Sequence, residues 1–168
     1  CEHIRSYRPK PIVRKEYIEE AAKLINEAER PFVIFGQGVI LGKAEKEFKK
    51  FIEKAGIPSA WTIMGMSAIP TNHPLAVGML GMHGTAYANK AIIGCDLIMA
   101  IGARWDDRIT GKVDEFCPDR KKLLLSKGDR EMTLGELGER IAQMRSAGQT
   151  RKEWGRFSVE WHKKFAIP

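Results

Sequence analysis

The sequence predicts an α/β fold: a doubly wound, mostly parallel sheet in a Rossmann-like three-layer αβα arrangement, with a C-terminal helical extension. Three observations predict it. Phe32–Phe35 and Leu97–Ile101 are unbroken apolar runs of strand length, as strands buried on both faces require, and Ile57–Trp61 is a third candidate. Segments of helical period stand between these runs, so strand-to-strand steps become right-handed crossovers of a parallel sheet. The runs also end in glycine-rich or charged loops, Gly36-Gln37-Gly38 and Gly102 to Arg108, where such sheets place their binding residues.

Along the chain, residues 1–13 hold Pro9 and Pro11 among polar and basic residues and read as linker. From Lys15 to Ala28 the spacing of Tyr17, Ile18, Ala21, Ala22, Leu24, Ile25 and Ala28 fits an amphipathic helix, which Glu29-Arg30-Pro31 stops. Ala44 to Lys54 is a second helix, with Phe48, Phe51 and Ile52 on one face and Ala55-Gly56 as its close. Ala86 to Ile93 is a short helix before the Leu97–Ile101 strand. Ile109 to Phe116 is a loop or short helix, and Lys121–Leu125 another strand. Thr133 caps a helix over Leu134–Met144 that Gly135 and Gly138 weaken, and Lys152–Phe165 is a last helix. Five or six strands are expected. Residues 14–145 form the nucleotide-binding domain, and 146–168 a C-terminal helix or linker.

Composition narrows the function classes. With 168 residues, 43% hydrophobic and 29% charged, the chain can bury a core without disulfide or metal. Cys1, Cys95 and Cys117 show no metal-ligand spacing, so they read as reduced intracellular thiols and no metal site is expected. No apolar run reaches spanning length and no signal-peptide pattern is present, so the expectation is a cytoplasmic protein without a membrane partner. A first residue of Cys rather than Met points to a piece of something longer. The net charge of +7 sits at the ends: residues 1–15 carry five Lys/Arg against one acid and residues 120–168 twelve against six, while the body between carries eleven against fourteen. No aromatic-interleaved basic motif accompanies those ends, which argues for solvated or domain-facing surfaces rather than nucleic acid.

The chemistry concentrates in Gly78-Met79-Leu80-Gly81-Met82-His83-Gly84, three glycines in seven residues, suited to backbone lying close against a flat ligand. Gly36-Gln37-Gly38 is half of a dinucleotide fingerprint and lacks its third glycine, so a plain strand-to-helix turn accounts for it equally well. Three strand ends (Gly36–Gly38, Thr62–Met64 and Gly102–Arg104) converge on one sheet edge, with Gly81–His83 beside them. His83 has no nucleophile motif for company, so it packs on a ligand ring or serves structure; His73 is a turn residue. Arg104 and Arg108 either pair with Asp106 and Asp107 as loop salt bridges, or Arg104 takes a phosphate while the acids take ribose hydroxyls. All four at one strand end favour the ligand. Met64, Met66, Met79 and Met82 taken singly are core filler; together they are a cover for an apolar ring.

These runs carry a family resemblance. Gly78 to Asn89, then Gly102-Ala103-Arg104-Trp105-Asp106-Asp107-Arg108-Ile109-Thr110-Gly111, resemble the central domain of the acetolactate (acetohydroxyacid) synthase catalytic subunit. Arg30-Pro31 leading to Gly36-Gln37-Gly38-Val39, and Thr62-Ile63-Met64-Gly65, match it in the same order, and the resemblance covers residues 8–120. It implies a thiamine-diphosphate enzyme of branched-chain amino acid synthesis, which joins two pyruvates, or pyruvate and 2-oxobutanoate, with loss of carbon dioxide. The middle domain of that family binds FAD, with no net redox role. Carried over, Gly36, Gln37, Gly38, Thr62, Ile63, Met64, Leu80, Gly81, Met82, His83, Gly102, Ala103, Arg104, Asp106 and Arg108 contact FAD, and Met82, Asp107 and Arg108 lie near the substrate channel. Gln37 stands where many relatives carry Gly, which is tolerable if its side chain points outward.

The resemblance also marks what these residues lack. Thiamine chemistry there needs an N-terminal glutamate and a C-terminal Gly-Asp-Gly…Asn segment for magnesium and diphosphate; here Gly128-Asp129 is followed by Arg130. No catalytic residue and no metal ligand is therefore expected, thiamine diphosphate and magnesium belonging to the parent. The implied partners are the other domains of the parent chain, a second parent copy and a regulatory subunit. After Arg120 the family's acidic segment, which grips one end of FAD, is skipped, and Lys121 leads to Gly128-Asp129 at once. FAD is accordingly expected to bind weakly or not at all. Two other classes are a free-standing NAD-binding enzyme of related fold and a non-catalytic interaction module using the basic ends.

Overall fold

The computed structural model describes residues 15–104, 107–112, 115–118 and 121–125. The expected linker, the two C-terminal helices and Asp106 lie outside them. Helix α1 (Lys15–Glu27) buries Ile18, Ala21, Ala22 and Ile25, a single stripe at helical spacing. It ends before β1 (Pro31–Phe35), a strand buried along its whole length. A five-residue helix, α2 (Gln37–Leu41), follows at once, then α3 (Glu45–Ala55), which buries Phe48, Phe51, Ile52 and Ala55. Gly56 closes α3 in the left-handed conformation at φ 62, its amide reaching the Ile52 carbonyl. Next come β2 (Ser59–Trp61), a 3-10 turn at Ile63–Gly65, and β3 (Ala76–Met79). Helix α4 (Ala86–Gly94) starts at Thr85, whose hydroxyl accepts the Ala88 amide. Strand β4 (Leu97–Ile101), the short α5 (Asp107–Thr110) and β5 (Lys121–Leu125) complete the described chain.

The five strands are all parallel, in the order β3-β2-β1-β4-β5. The chain walks outward from β1 to β3, then returns to the other side of β1 for β4 and β5. Right-handed crossovers made in opposite directions put their helices on opposite faces. Accordingly α1 and α3 pack with Val33, Phe35, Met99 and Ile101 in one core, and α4 packs with Phe32, Ile34, Ile98 and Ala100 in the other. Alternate residues of β1 and β4 thus serve different layers, which is why these two strands read as unbroken apolar runs. In the first core the Phe35 ring lies 4.8 Å from Phe48 and 6.4 Å from Trp61, both tilted. At the start of β1 and β4 the Asp96 carboxylate accepts the amides of Glu29 and Arg30 at 2.8 and 3.0 Å, and the Arg30 guanidinium donates to the Gly94 carbonyl.

Two elements depart from expectation. β3 is a strand where the sequence predicts ligand-facing loop: Ala76-Val77-Gly78-Met79 pairs with β2 through a register shift, and Gly78 sits at φ 109. A bulge with a glycine hides the strand's period. α2 is the other, because a five-residue helix opened by Gln37-Gly38 carries too little pattern to be seen.

Candidate functional site

Strand order reverses between β1 and β4, and the crevice beyond their carboxyl ends is where an open α/β sheet binds ligands. A cleft of about 650 Å³ opens there, within the size range of small-molecule and cofactor sites. Gln37 and Gly38 reach it from the start of α2 and Leu41 from its end, and Thr62, Ile63 and Met64 from the segment after β2. Met79, Leu80, Met82 and His83 come from the end of β3, and Gly102, Ala103, Arg104, Arg108 and Ile109 from β4 and α5.

The floor is backbone. The Gly36 amide donates to the Ile101 carbonyl at 3.0 Å and the Gly38 amide to the Gly102 carbonyl at 2.9 Å. A methyl group on Gly38 would meet the Gly102 Cα at 2.6 Å, and one on Gly102 would meet the Val39 nitrogen at 2.6 Å. Gly36 is hemmed in as well, a methyl there falling 2.5 Å from the Gly102 oxygen. The two glycines of the β1 turn are thus required by the neighbouring strand's turn, whatever occupies the cleft. Gly36 is buried and does not line the cleft, whereas Gln37 is exposed and lines it.

One wall is the turn Gly81-Met82-His83-Gly84. The Asn89 side chain clamps it, its carboxamide oxygen accepting the Gly81 amide and its NH2 donating to the Gly81 carbonyl, both at 3.0 Å. The Met82 amide donates to the Arg108 carbonyl at 2.8 Å, tying the turn to α5, and the Leu80 amide donates to the Trp61 carbonyl at 3.1 Å. Gly81 itself is buried behind this surface at φ 107. Sequence reasoning gave Asn89 no role; the signal was an asparagine in the first turns of a helix, a residue that competes there for backbone partners.

The lining is apolar and exposed. Leu41, Ile63, Met64 and Met82 are 59%, 69%, 58% and 72% exposed, four of the six large apolar side chains left open among the described residues. Clustered in one concavity, they mark a binding surface rather than scattered exposure. Met64 and Met82 are therefore not core filler, unlike Met99, which is fully buried. Arg104, Arg108 and His83 are exposed at the same cleft. Asp107 opens α5 and accepts the Arg108 amide on its carboxylate at 3.0 Å; it is not part of the lining, and Asp106 lies outside the described residues. Met79 lines the cleft as the methionine cluster implied, and Leu41 and Ile109 line it without having been singled out. His73 is a turn residue elsewhere: its Nδ1 accepts the Leu75 amide, so Nε2 carries the hydrogen and donates to Glu53 at 3.1 Å. Among the described residues no three His, Cys, Asp or Glu side chains gather as a metal site, and no helix is long and apolar enough to cross a membrane.

Comparison with known proteins agrees with this architecture. The family described as thiamine pyrophosphate enzyme, central domain, matches residues 18–150. The chain is similar to the probable acetolactate synthase large subunit of Methanocaldococcus jannaschii, 46% identical over 115 residues, covering 68% of this chain and 20% of that protein. It is 47% identical over 115 residues to the acetolactate synthase large subunit of Corynebacterium glutamicum, covering 68% of this chain and 18% of that one. Against the acetolactate synthase isozyme 1 large subunit of Escherichia coli K12 it is 34% identical over 169 residues, 94% of this chain and 30% of that one. The chain thus spans less than a third of the length of these relatives. The sheet, the crevice at its reversal and the extent of the match place the chain in one family: it belongs to the thiamine pyrophosphate enzyme central domains.

Proposed function

We propose that this chain is the central domain of an acetolactate synthase large subunit and that its crevice takes FAD. The observation that carries the reading is the crevice: an apolar, exposed lining beside the close-packed turns of Gly38 and Gly102, with Arg104 and Arg108 among the lining residues. Ile63, Met64 and Met82 cover a flat apolar ring, while Arg104 and Arg108 offer charge-assisted, bidentate donors to a diphosphate. The residues present fit such a group, and FAD in this setting supplies binding rather than net redox chemistry. The parent joins two pyruvates, or pyruvate and 2-oxobutanoate, with decarboxylation. Its partners are the remaining domains of the same chain, a second parent copy and a regulatory subunit that the word "large" in the relatives' names calls for. Met82, Asp107 and Arg108 sit toward the substrate channel. A match to a thiamine-enzyme central domain does not favour the free-standing NAD enzyme or the interaction module.

Titration of FAD against the pure chain, followed by tryptophan fluorescence, tests the reading. Saturable but weak binding is expected, because the acidic segment that grips the far end of FAD is skipped after Arg120. Arg104→Ala should weaken it a further ~5- to 10-fold, one exposed charge-assisted contact contributing about 1 kcal/mol. Binding of NAD in preference to FAD overturns the reading. Tight stoichiometric FAD binding shows the skipped segment to be dispensable.

The 168 residues should not turn over pyruvate. Supplied with thiamine diphosphate, magnesium and FAD, they are expected to form no acetolactate above background, because neither thiamine-holding segment is in the sequence and the cofactor needs protein to position it. Turnover that survives purification and disappears on mutating the cleft would refute this.

A further inference from the structure

At the opposite edge of the sheet from the crevice, two thiols converge on one carbonyl oxygen. The Cys95 Sγ donates to the Ile92 oxygen at 2.9 Å, and the Cys117 Sγ addresses that same oxygen from 3.8 Å. The two sulfurs are therefore no farther apart than those two distances laid end to end. Strand register supports the same proximity independently. Leu97 pairs with Lys121, so Cys95, two residues before β4, and Cys117, four residues before β5, leave corresponding ends of neighbouring strands. Both side chains belong to the core under α4, Cys95 fully buried and Cys117 partly so, and neither is in a disulfide. The backbone of Cys117 is held in the left-handed region at φ 46, unusual for a residue with a side chain.

We propose that Cys95 and Cys117 form an oxidisable pair that closes a disulfide when the chain meets a two-electron oxidant of the peroxide class. Cys117, the more accessible sulfur, loses its proton and attacks a peroxide oxygen; the O–O bond breaks, the sulfur becomes a sulfenic acid and hydroxide leaves to be protonated. The Cys95 sulfur then attacks the Cys117 sulfur, the S–O bond breaks, and water departs with the Cys95 proton. Two thiols and one hydrogen peroxide give one disulfide and two waters. The bond fastens β5, which in the described sheet pairs with β4 alone, to the end of α4. The thiols are reduced in the resting chain, and the site is independent of what the crevice binds.

The test uses the chain with Cys1→Ser, to remove the third thiol, treated with hydrogen peroxide while folded. Remaining thiols are then alkylated and the protein digested with trypsin. The expected product is a reductant-sensitive link between the peptides spanning residues 91–104 and 113–120, absent from the Cys117→Ser variant. In the linked protein the β5 backbone amides should exchange with solvent at least about tenfold more slowly than in the reduced one. Full alkylation of both cysteines after oxidation overturns the proposal, as does over-oxidised Cys117 without the linked peptide or a link that forms only in urea. A link that leaves β5 exchange unchanged refutes its fastening role.

Discussion

Gly102→Ala is expected to cost about 3 kcal/mol of stability or more, while the matched change Gly56→Ala costs about 1 kcal/mol. The two glycines have nearly the same backbone, φ 59 and φ 62, so both substitutions carry the same left-handed penalty. Their surroundings differ. A methyl on Gly56 meets nothing within 4 Å, whereas one on Gly102 falls 2.6 Å from the Val39 nitrogen and 2.8 Å from Gly38 backbone atoms. Those are main-chain atoms of the α2 turn and cannot swing aside as a side chain would, so the turn must separate from β4. The Gly38 amide bond to the Gly102 carbonyl is lost in that separation. Urea unfolding of both variants, followed by circular dichroism, measures the difference directly. Equal losses would show that the interlock contributes nothing beyond backbone conformation. Gly38→Ala should resemble Gly102→Ala from the other side of the contact, since its methyl would lie 2.6 Å from the Gly102 Cα.

That interlock also explains why Gly36-Gln37-Gly38 is an ambiguous signal in sequence. Half a dinucleotide fingerprint was visible, but its missing third glycine has a counterpart on another strand: Gly102 supplies close packing that a single-strand motif cannot display. The strands β1 and β4 were legible because burial on both faces leaves no polar residue to break the run. The helices α1 and α3 were legible because each has one apolar stripe, and their boundaries differ from expectation by one residue. β3 was not, since a bulge and a positive-φ glycine within four residues erase any period. The cleft lining followed from placing strand ends at one edge, a consequence of topology. Leu41 and Ile109 were missed for the complementary reason: they hang from short helices whose existence and direction only the folded chain discloses.

Asn89→Ala should loosen the crevice wall without unfolding the sheet. Asn89 is half-buried on α4, and its side chain is the element that holds both the amide and the carbonyl of Gly81. Alanine deletes two hydrogen bonds worth about 1 kcal/mol each and leaves the amide of the buried Gly81 without its Asn89 partner, while the Gly81 carbonyl keeps the Gly84 amide at 2.9 Å, for an expected loss of about 2 kcal/mol. Helix propensity offsets a few tenths, since alanine is the better helix former. The effect on the site follows from what Gly81 precedes. Met82, the most exposed of the large apolar residues in the cleft, then remains tied through its own amide to the Arg108 carbonyl alone. With one tether gone, ordering the turn is charged to the ligand, and affinity for FAD should fall by about 10-fold. Asn89→Asp separates the two bonds: a carboxylate still accepts the Gly81 amide but has no donor for the Gly81 carbonyl. It should therefore be no more than a partial rescue, lying between alanine and wild type in amide exchange at Gly81. Three readouts decide it together: urea midpoint, FAD titration, and exchange at Gly81 and Met82. A variant that loses stability but keeps wild-type affinity and slow exchange at Met82 would reduce Asn89 to a helix-packing residue with no hold on the site.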